Sequence, residues 1–454
     1  MSNLTAEKNI GKKLSLIGLG KLGLCMAGAF GEAGFNVIGV DLNPKLIEMV
    51  NNGEVPYIEP KLDRVLANSR GRLKATNDYR EAILETDTTF IVVATPTLPN
   101  GTYSNVQLEA ALKAIAEVLR EKKTKHRIVV SCTVMPGTIE KMAIPLVESV
   151  SGKKLGEGFS LAYNPEFIAM GNVIGVFTQP DFVLVGESEP EIGETLEKIY
   201  DVLCKNNPPV ARMNIINAEL AKISLNCYVT TKITYANMLS ELCELLPGAN
   251  VDVVTGAIGL DARIGGKVLK GGIGFGGPCF PRDNRAFVHL AEECGMNAGL
   301  AGQTHQSNLW QIERLYNAVI NNVPVYSVVG ILGLAYRTDT PLVEESQALI
   351  LAQRLAEAGY KVKAHDPFGL ENARRSLGNL IEYCDTPAAA LANTDAVIVT
   401  LMDNEYKMLT SADFLRAIKP NGLVIDPWRM YLGQDFRGLR YHPMGVGQYN
   451  VNAD

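Results

Sequence analysis

Residues 14–41 read LSLIGLGKLGLCMAGAFGEAGFNVIGVD. Leu14 to Gly18 is a short apolar run of the kind that forms a buried strand. The glycine-rich turn Gly18-Leu19-Gly20-Lys21-Leu22-Gly23 follows, and then a helix from about Leu22 to Ala33. Gly34 ends that helix, because glycine adopts the left-handed conformation cheaply. Phe35 to Val40 reads as a second strand that stops at Asp41. Strand, helix and strand of these lengths make a βαβ unit. In that context Gly18 permits the tight turn, Gly20 lets a pyrophosphate approach the backbone, and Gly23 lets helix and strand pack closely. The helix N-terminus favours the phosphate charge. Asp41 lies 18 residues past Gly23, where its carboxylate accepts hydrogen bonds from ribose hydroxyls and favours NAD over NADP. A glycine turn kept for packing alone is the other reading.

The same pattern continues outward. Buried strands are expected at Thr89–Ala94, Arg127–Cys132 and Phe182–Val185, with helical patterns between them, which predicts a doubly wound α/β sheet. After Pro208-Pro209 the stretch Ile215 to Leu246 lacks glycine and proline, and its apolar spacing predicts a long central helix. A second helical stretch is expected from His289 to about Asn321. A new α/β segment then starts: strand Tyr326–Leu332, helix Ser346–Ala358 ended by Gly359, and strand Lys361–Ala364 running into His365-Asp366-Pro367. Ala396–Leu401 and Leu423–Asp426 are later strands. The reading is α/β, with two Rossmann-like doubly wound domains joined by a long central helix. The expected boundaries are 1–208, 209–322 and 323–454.

A chain of 454 residues is too long for one ordinary core. Its 47% hydrophobic and 20% charged residues are those of a globular enzyme. The net charge of -6 argues against nucleic acid as the main partner, while leaving room for a local basic pocket. No apolar segment follows the polar residues 1–13, so no signal peptide is read, and no apolar run is long enough to span a bilayer. The eight cysteines are scattered without a CxxC pair, which argues against a zinc site and for a cytosolic chain.

Several other segments carry candidate chemistry. In Gly274-Phe275-Gly276-Gly277-Pro278-Cys279-Phe280-Pro281-Arg282-Asp283, a thiol follows glycines that let backbone approach a ligand. Cys279 there can attack an aldehyde, and Asp283 shares its face if a helix begins at that point; a glycine loop with a small buried thiol is the alternative. Lys222 and Asn226 are an i, i+4 pair on the long helix, either functional or simply solvated. Asn164-Pro165-Glu166-Phe167 can project Glu166 into a cleft. Thr133, in Ser131-Cys132-Thr133-Val134-Met135-Pro136-Gly137, falls at the carboxyl end of a strand, where open α/β sheets bind ligands.

Taken together these segments resemble the UDP-glucose/GDP-mannose dehydrogenase family, in the family's order and over almost the whole chain. GLGKLG with Asp41, Ala94-Thr95-Pro96-Thr97, CTVMPGT, NPEF, Ala218-Glu219-Leu220-Ala221-Lys222 with Asn226, and GFGGPCFPRD each match a family segment. So do Gly333-Leu334-Ala335-Tyr336-Arg337 and Asp426-Pro427-Trp428-Arg429. The resemblance implies two hydride transfers to NAD that take a sugar C6 alcohol to a uronate, UDP-glucose being the first expectation. Cys279 would hold the aldehyde as a thiohemiacetal and then a thioester, so that it cannot escape between steps. Lys222 would stabilise negative oxygen beside Asn226. Asp283 would orient a water or Lys222, Glu166 would handle protons in hydrolysis, and Thr133 would place a water near the nicotinamide. The resemblance assigns Gly18, Gly20, Lys21, Leu22, Gly23, Asp41, Lys45, Thr95, Thr133 and Arg337 to the cofactor. It assigns Glu166, Phe167, Lys222, Asn226, Lys270, Phe275, Gly276, Cys279, Tyr336, Arg337 and Arg429 to the nucleotide sugar. Arg263 would reach the substrate of a neighbouring subunit, which implies a homodimer or larger homo-oligomer.

The chain departs from the family pattern at four places. Met170 stands where a second glutamate is usual, Pro278 replaces a serine, Arg282 replaces a lysine, and Glu344 takes the place of an arginine. The first bears on hydrolysis and the last on base or sugar preference. GDP-mannose or a UDP-N-acetylhexosamine remain alternative substrates, although the N-acetyl branches often carry Arg where this chain has Phe167. A single-step hydroxyacid dehydrogenase would use the helix lysine and asparagine without Cys279, and a non-catalytic NAD-binding regulator would need none of these groups.

Overall fold

The computed structural model describes residues 13–168 and 170–447. The chain divides into two compact units, Met1–Ser224 and Leu225–Asp454, and the division falls inside the helix Ile215–Leu245.

The first unit is built on eight strands: β1 Lys13–Ile17, β2 Asn36–Val40, β3 Leu73–Thr76, β4 Thr88–Ile91, β5 His126–Val130, β6 Phe159–Tyr163, β7 Val183–Glu187 and β8 Val210–Asn214. They lie in the order β3-β2-β1-β4-β5-β6-β7-β8. Every neighbouring pair is parallel except β6 with β7. Side chains of a strand alternate between faces. Leu14 and Leu16 accordingly enter one core and Ile17 the other, and both faces of the sheet are covered. The sheet order reverses at β1, so the crevice between β1 and β4 opens at the carboxyl ends of these strands, where the glycine turn starts.

The second unit repeats the plan with β9 Val328–Leu332, β10 Lys361–His365, β11 Glu382–Tyr383, β12 Ala396–Val399, β13 Leu423–Asp426 and β14 Arg440–Pro443. The order is β11-β10-β9-β12-β13-β14, all parallel. Val329 and Ile331 face one core, and Leu332 faces the other. The expected class, two doubly wound sheets with a long helix in the chain between them, is the class observed.

Glycine ends the first helix of each sheet as expected. Gly34 has φ 103°, and the Phe35 N–H bonds the Phe30 carbonyl across it at 3.0 Å. Gly359 has φ 93°, with the Tyr360 N–H on the Leu355 carbonyl at 3.0 Å. This closure gives otherwise unpaired carbonyls a partner. The helical stretch expected from His289 to Asn321 is instead two helices, Phe280–Glu293 and Gly299–Ile320. Gly295, at φ 70°, closes the first, with the Met296 N–H on the Ala291 carbonyl at 2.7 Å. Strands β3, β6, β8, β11 and β14 were not expected.

Candidate active site

The glycine turn has the stereochemistry that its three glycines require. A Cβ on Gly18 would lie 2.7 Å from the Val92 carbonyl oxygen, and one on Gly23 would lie 1.9 Å from the Gly18 oxygen. Gly20, the N-cap of helix Lys21–Glu32, has nothing within 4 Å of its Cβ position. Turn and helix are thus locked by the outer glycines, and the middle one leaves open space before a helix N-terminus, where a pyrophosphate fits. The Asp41 carboxylate accepts the Leu19 N–H at 2.8 Å and the Asn43 N–H at 2.9 Å. It is half-buried, and each oxygen keeps acceptor capacity for a ribose hydroxyl. This donor and acceptor set suits NAD. Lys45 is exposed on the helix Pro44–Asn52, and Thr95 is buried just beyond β4.

Beyond β5, Thr133 is half-buried on the turn leading to Gly137. That turn is held by Glu219, whose two carboxylate oxygens accept the Gly137 N–H at 2.6 Å and the Ile139 N–H at 2.9 Å. Glu219 is fully buried, and burial pushes its carboxyl above the usual range against the pull of those two N–H groups. Three residues along the same helix, the Lys222 ammonium donates to the Glu166 carbonyl at 2.6 Å and stands 4.5 Å from the centre of the Phe167 ring. The NPEF segment is therefore gripped through its backbone and its aromatic ring. Glu166 itself is pushed up to about 7 by burial, with the Tyr200 hydroxyl and Lys222 pulling the other way. The Tyr200 hydroxyl lies 2.9 Å from Glu166 Oε1. Met170, in the place of the family's second glutamate, packs against the apolar core on one face of the sheet. The buried Glu59 accepts the Gly171 and Val173 N–H groups at 3.0 and 2.9 Å and ties down the end of this segment.

In the second unit Cys279 is the N-cap of helix Phe280–Glu293 and is exposed. A helix N-terminus and the Arg282 guanidinium, 4.0 Å from its sulfur, give it positive surroundings. Cys294, the other exposed thiol, sits at the opposite end of the same helix, where the dipole has the opposite sign. The remaining six thiols are buried. Burial pushes Cys25, Cys132 and Cys227 up to about 12 and Cys204 up to about 11, which keeps them neutral. Asp283 is fully buried on the first turn of this helix, where it accepts Asn226 Nδ2 at 2.6 Å and Arg282 Nε at 3.1 Å.

The glycines before Cys279 are there for close approach. A Cβ on Gly276 would meet the Glu345 carbonyl at 2.4 Å, and one on Gly277 would meet the Tyr336 ring at 2.6 Å. Two buried amides hold the loop. Asn308 receives the Phe275 N–H at 2.7 Å and donates to the Phe275 carbonyl at 2.9 Å; Asn237 does the same for the Gly272 N–H and the Ile273 carbonyl, at 2.8 and 3.2 Å. Lys270 is exposed, Arg337 is half-buried, and Arg263 stands on an exposed loop paired with Asp261 at 2.7 Å.

Arg429 requires a correction. Expected to hold the diphosphate, it has all five N–H donors engaged within the protein. Nε and Nη2 grip Asp252 at 2.7 and 2.9 Å, Nη1 donates to the Pro427 and Met444 carbonyls at 2.7 and 2.8 Å, and Nη2 also reaches the Gly271 carbonyl at 2.6 Å. It braces the glycine loop instead of offering donors to a ligand.

Sequence reasoning missed Glu59, Asn237, Asn308 and Tyr200, and named Glu219 only within the segment Ala218-Glu219-Leu220-Ala221-Lys222, without a role. Only Glu219 carried a signal, since its spacing from Lys222 places both on one helix face. The others join segments far apart in the chain.

Three family models match in order: the NAD binding domain of the UDP-glucose/GDP-mannose dehydrogenase family at residues 12–204, its central domain at 216–310 and its UDP binding domain at 330–432. A UDP-glucose 6-dehydrogenase of Haloferax volcanii is 35% identical over 436 residues, covering 95% of this chain and all of that protein. A GDP-mannose 6-dehydrogenase of Pseudomonas aeruginosa is 31% identical over 91% of this chain and 93% of its own length. The structure of a UDP-glucose dehydrogenase from Pyrobaculum islandicum, 32% identical, superposes with a TM-score of 0.86 over 96% of this chain and 98% of that one.

Proposed function

Because this chain belongs to the UDP-glucose/GDP-mannose dehydrogenase family, we propose that UDP-glucose is its substrate and Cys279 its covalent catalyst. The chemistry is NAD-dependent oxidation of a nucleotide sugar at C6. NAD, when bound, supplies the hydride acceptor for each of two oxidations; the Gly18–Gly23 turn with Asp41, Lys45, Thr95 and Thr133 would hold it, and by the family resemblance Arg337 would contribute as well. The observation that carries the covalent reading is Cys279: an exposed thiol at a helix N-terminus beside a guanidinium, in a chain whose other thiols are buried or at a helix C-terminus.

In this reading the Cys279 sulfur adds to the C6 aldehyde to give a thiohemiacetal. Loss of a second hydride leaves a thioester, and water releases the carboxylate and the thiol. Lys222 and Asn226 stabilise charge on the C6 oxygen, and Asp283 orients Asn226 and Arg282. Glu166, titrating near neutrality, takes the proton from the attacking water. Met170, being apolar, does not supply the carboxylate that the family's second glutamate would share in that role. Phe167, Lys270, Phe275, Gly276, Tyr336 and Arg337 bind the nucleotide sugar, and Arg429 positions the loop.

UDP-glucose is supported by the full-length likeness to the Haloferax volcanii enzyme, and Phe167 favours the glucose and mannose branches over the N-acetyl ones. GDP-mannose is the second reading, because relatives named for it reach 34% identity over 84% of this chain, against 35% for the UDP-glucose relative. Supplying NAD with each of UDP-glucose, GDP-mannose and UDP-N-acetylhexosamines tests both. UDP-glucose should give the highest kcat/KM, with about two NADH per sugar consumed. A ratio near one would return the chain to single-step chemistry.

A homodimer is supported by an exposed apolar seam on helix Ile215–Leu245. Tyr228, Tyr235, Met238, Leu242 and Leu245 recur at the spacing of a packed helix pair and are 48–75% exposed. Arg263 on its exposed loop suits contact with a neighbouring subunit. No helix among the described residues is long and apolar enough to cross a membrane. Eight free thiols suit the reducing cytoplasm. Sedimentation at micromolar concentration should show the dimer, and a monomer would refute it.

A further inference from the structure

Three oxygens stand in a row beside β6: Glu166 Oε1, the Tyr200 hydroxyl at 2.9 Å, and Asn164 Oδ1 a further 2.7 Å from that hydroxyl. Tyr200 and Asn164 are buried. The orientation of the Asn164 amide is fixed, because its Nδ2 donates to the Leu184 carbonyl at 2.9 Å. Its oxygen therefore faces Tyr200 and can only accept, so it competes with Glu166 Oε1 for the one hydroxyl proton. A phenol has one proton. When it donates to Asn164, the lone pair it turns to Glu166 is satisfied only if Glu166 carries a proton of its own. With Glu166 neutral, two protons serve two gaps. With Glu166 ionised, one proton serves two gaps, and two acceptors abut without a donor between them.

We propose that Asn164 competes with Glu166 for the tyrosine proton, so that Asn164 and Tyr200 form a positioning pair that favours the acid form of this glutamate. This deepens the role given to Glu166 above, and rests on it only for its consequence in catalysis. The other titratable groups facing Glu166 do not supply the missing proton. Lys222 directs its ammonium to the Glu166 carbonyl, and Cys204 is a neutral buried thiol. Lys222 also favours the anion by its charge, and the burial of Glu166 opposes that. The acid form has a use before hydrolysis: a neutral glutamate does not remove protons prematurely, and its loss of a proton to solvent produces the base.

The test is to titrate Glu166 itself, by the carboxyl 13C resonance that disappears in Glu166→Gln. Asn164→Leu keeps the volume and frees the hydroxyl proton for the carboxylate. The resonance should then titrate about one pH unit lower, the worth of one hydrogen bond to a charged group. Adding Tyr200→Phe to that variant should abolish the fall. No fall in the first, or a fall that persists in the second, overturns the proposal. If Asn164→Leu does not fold, Tyr200→Phe alone decides, since it removes one atom and keeps the ring. It takes a partner from both forms and should leave the titration within about half a unit; a rise of a full unit would mean that the hydroxyl served the carboxylate all along. The acid limb of thioester hydrolysis should follow the resonance. If the resonance moves and the limb does not, Glu166 is not the base, and the reading of its catalytic role fails while the proton arrangement stands.

Discussion

In each unit the central strand runs into a glycine at positive φ, Gly18 at 95° after β1 and Gly333 at 107° after β9. In each, an aspartate at the end of the next strand reaches back to the turn. Asp41 accepts the Leu19 N–H, and Asp366 accepts the Leu334 and Ala335 N–H groups at 2.7 and 2.8 Å. The two then part. After Gly18 a helix starts at Lys21, aimed at open space over Gly20. After Gly333 the chain runs through residues 333–346 before helix Gln347–Glu357 begins. That longer loop carries Tyr336 and Glu345 onto the glycines preceding Cys279. Asp366 also accepts the Phe368 and Gly369 N–H groups and is almost fully buried, whereas Asp41 makes two such bonds and is half-exposed. The first turn leaves open space at its helix N-terminus and acceptor capacity on its acid, whereas the acid of the second turn is committed to four backbone N–H groups.

Substitutions can break this contrast. Gly23→Ala should have the largest effect, because the new Cβ would lie 1.9 Å from backbone oxygen. A loss of about 3 kcal/mol or more in unfolding free energy is expected, with NAD binding lost alongside. Asp366→Asn should cost about 2–3 kcal/mol by leaving buried N–H groups poorly matched, and should leave the KM for NAD unchanged in the folded fraction. Asp41→Asn should do the reverse, raising that KM about tenfold with under about 1 kcal/mol of stability lost. If the two aspartates gave the same profile, the distinction would be wrong. Gly20→Ala should leave the melting temperature unchanged, since its Cβ meets nothing, and should weaken NAD several-fold to about tenfold by crowding the pyrophosphate.

The smallest expected effect is on pH dependence. Glu166 holds its proton up to about 7 in the folded protein, against an ordinary value of 4.5. Between those values the folded state binds a proton that the unfolded chain has released, so stability falls as pH rises through that window. Glu166→Gln should flatten this slope; an unchanged slope would show that Glu166 does not titrate there.

The contrast also explains what the sequence conveyed. Gly18, Gly23, Gly34 and Asp41 act within one βαβ unit, so their spacing alone reveals them. Strands β8 and β14 escaped because they are half-exposed edges with polar residues, Val210–Asn214 and Arg440–Pro443, and lack the apolar run of a central strand. Strand β6, FSLAY, is buried on both faces, and such a short apolar run does not distinguish strand from helix. The candidate site residues stand out through motif; those that hold them do not. Asn308 grips Phe275, and Asp252 occupies the donors of Arg429 from far away in the chain. Nothing local at Arg429 foretells that its guanidinium is already satisfied.

Uronate formation by Cys279→Ser is the most direct trial of the account, followed by product analysis with the wild-type protein alongside. A thousandfold or greater loss, on the order expected when a covalent nucleophile is removed, is the predicted result. Uronate made at the wild-type rate would show that no bond to that sulfur lies on the reaction path.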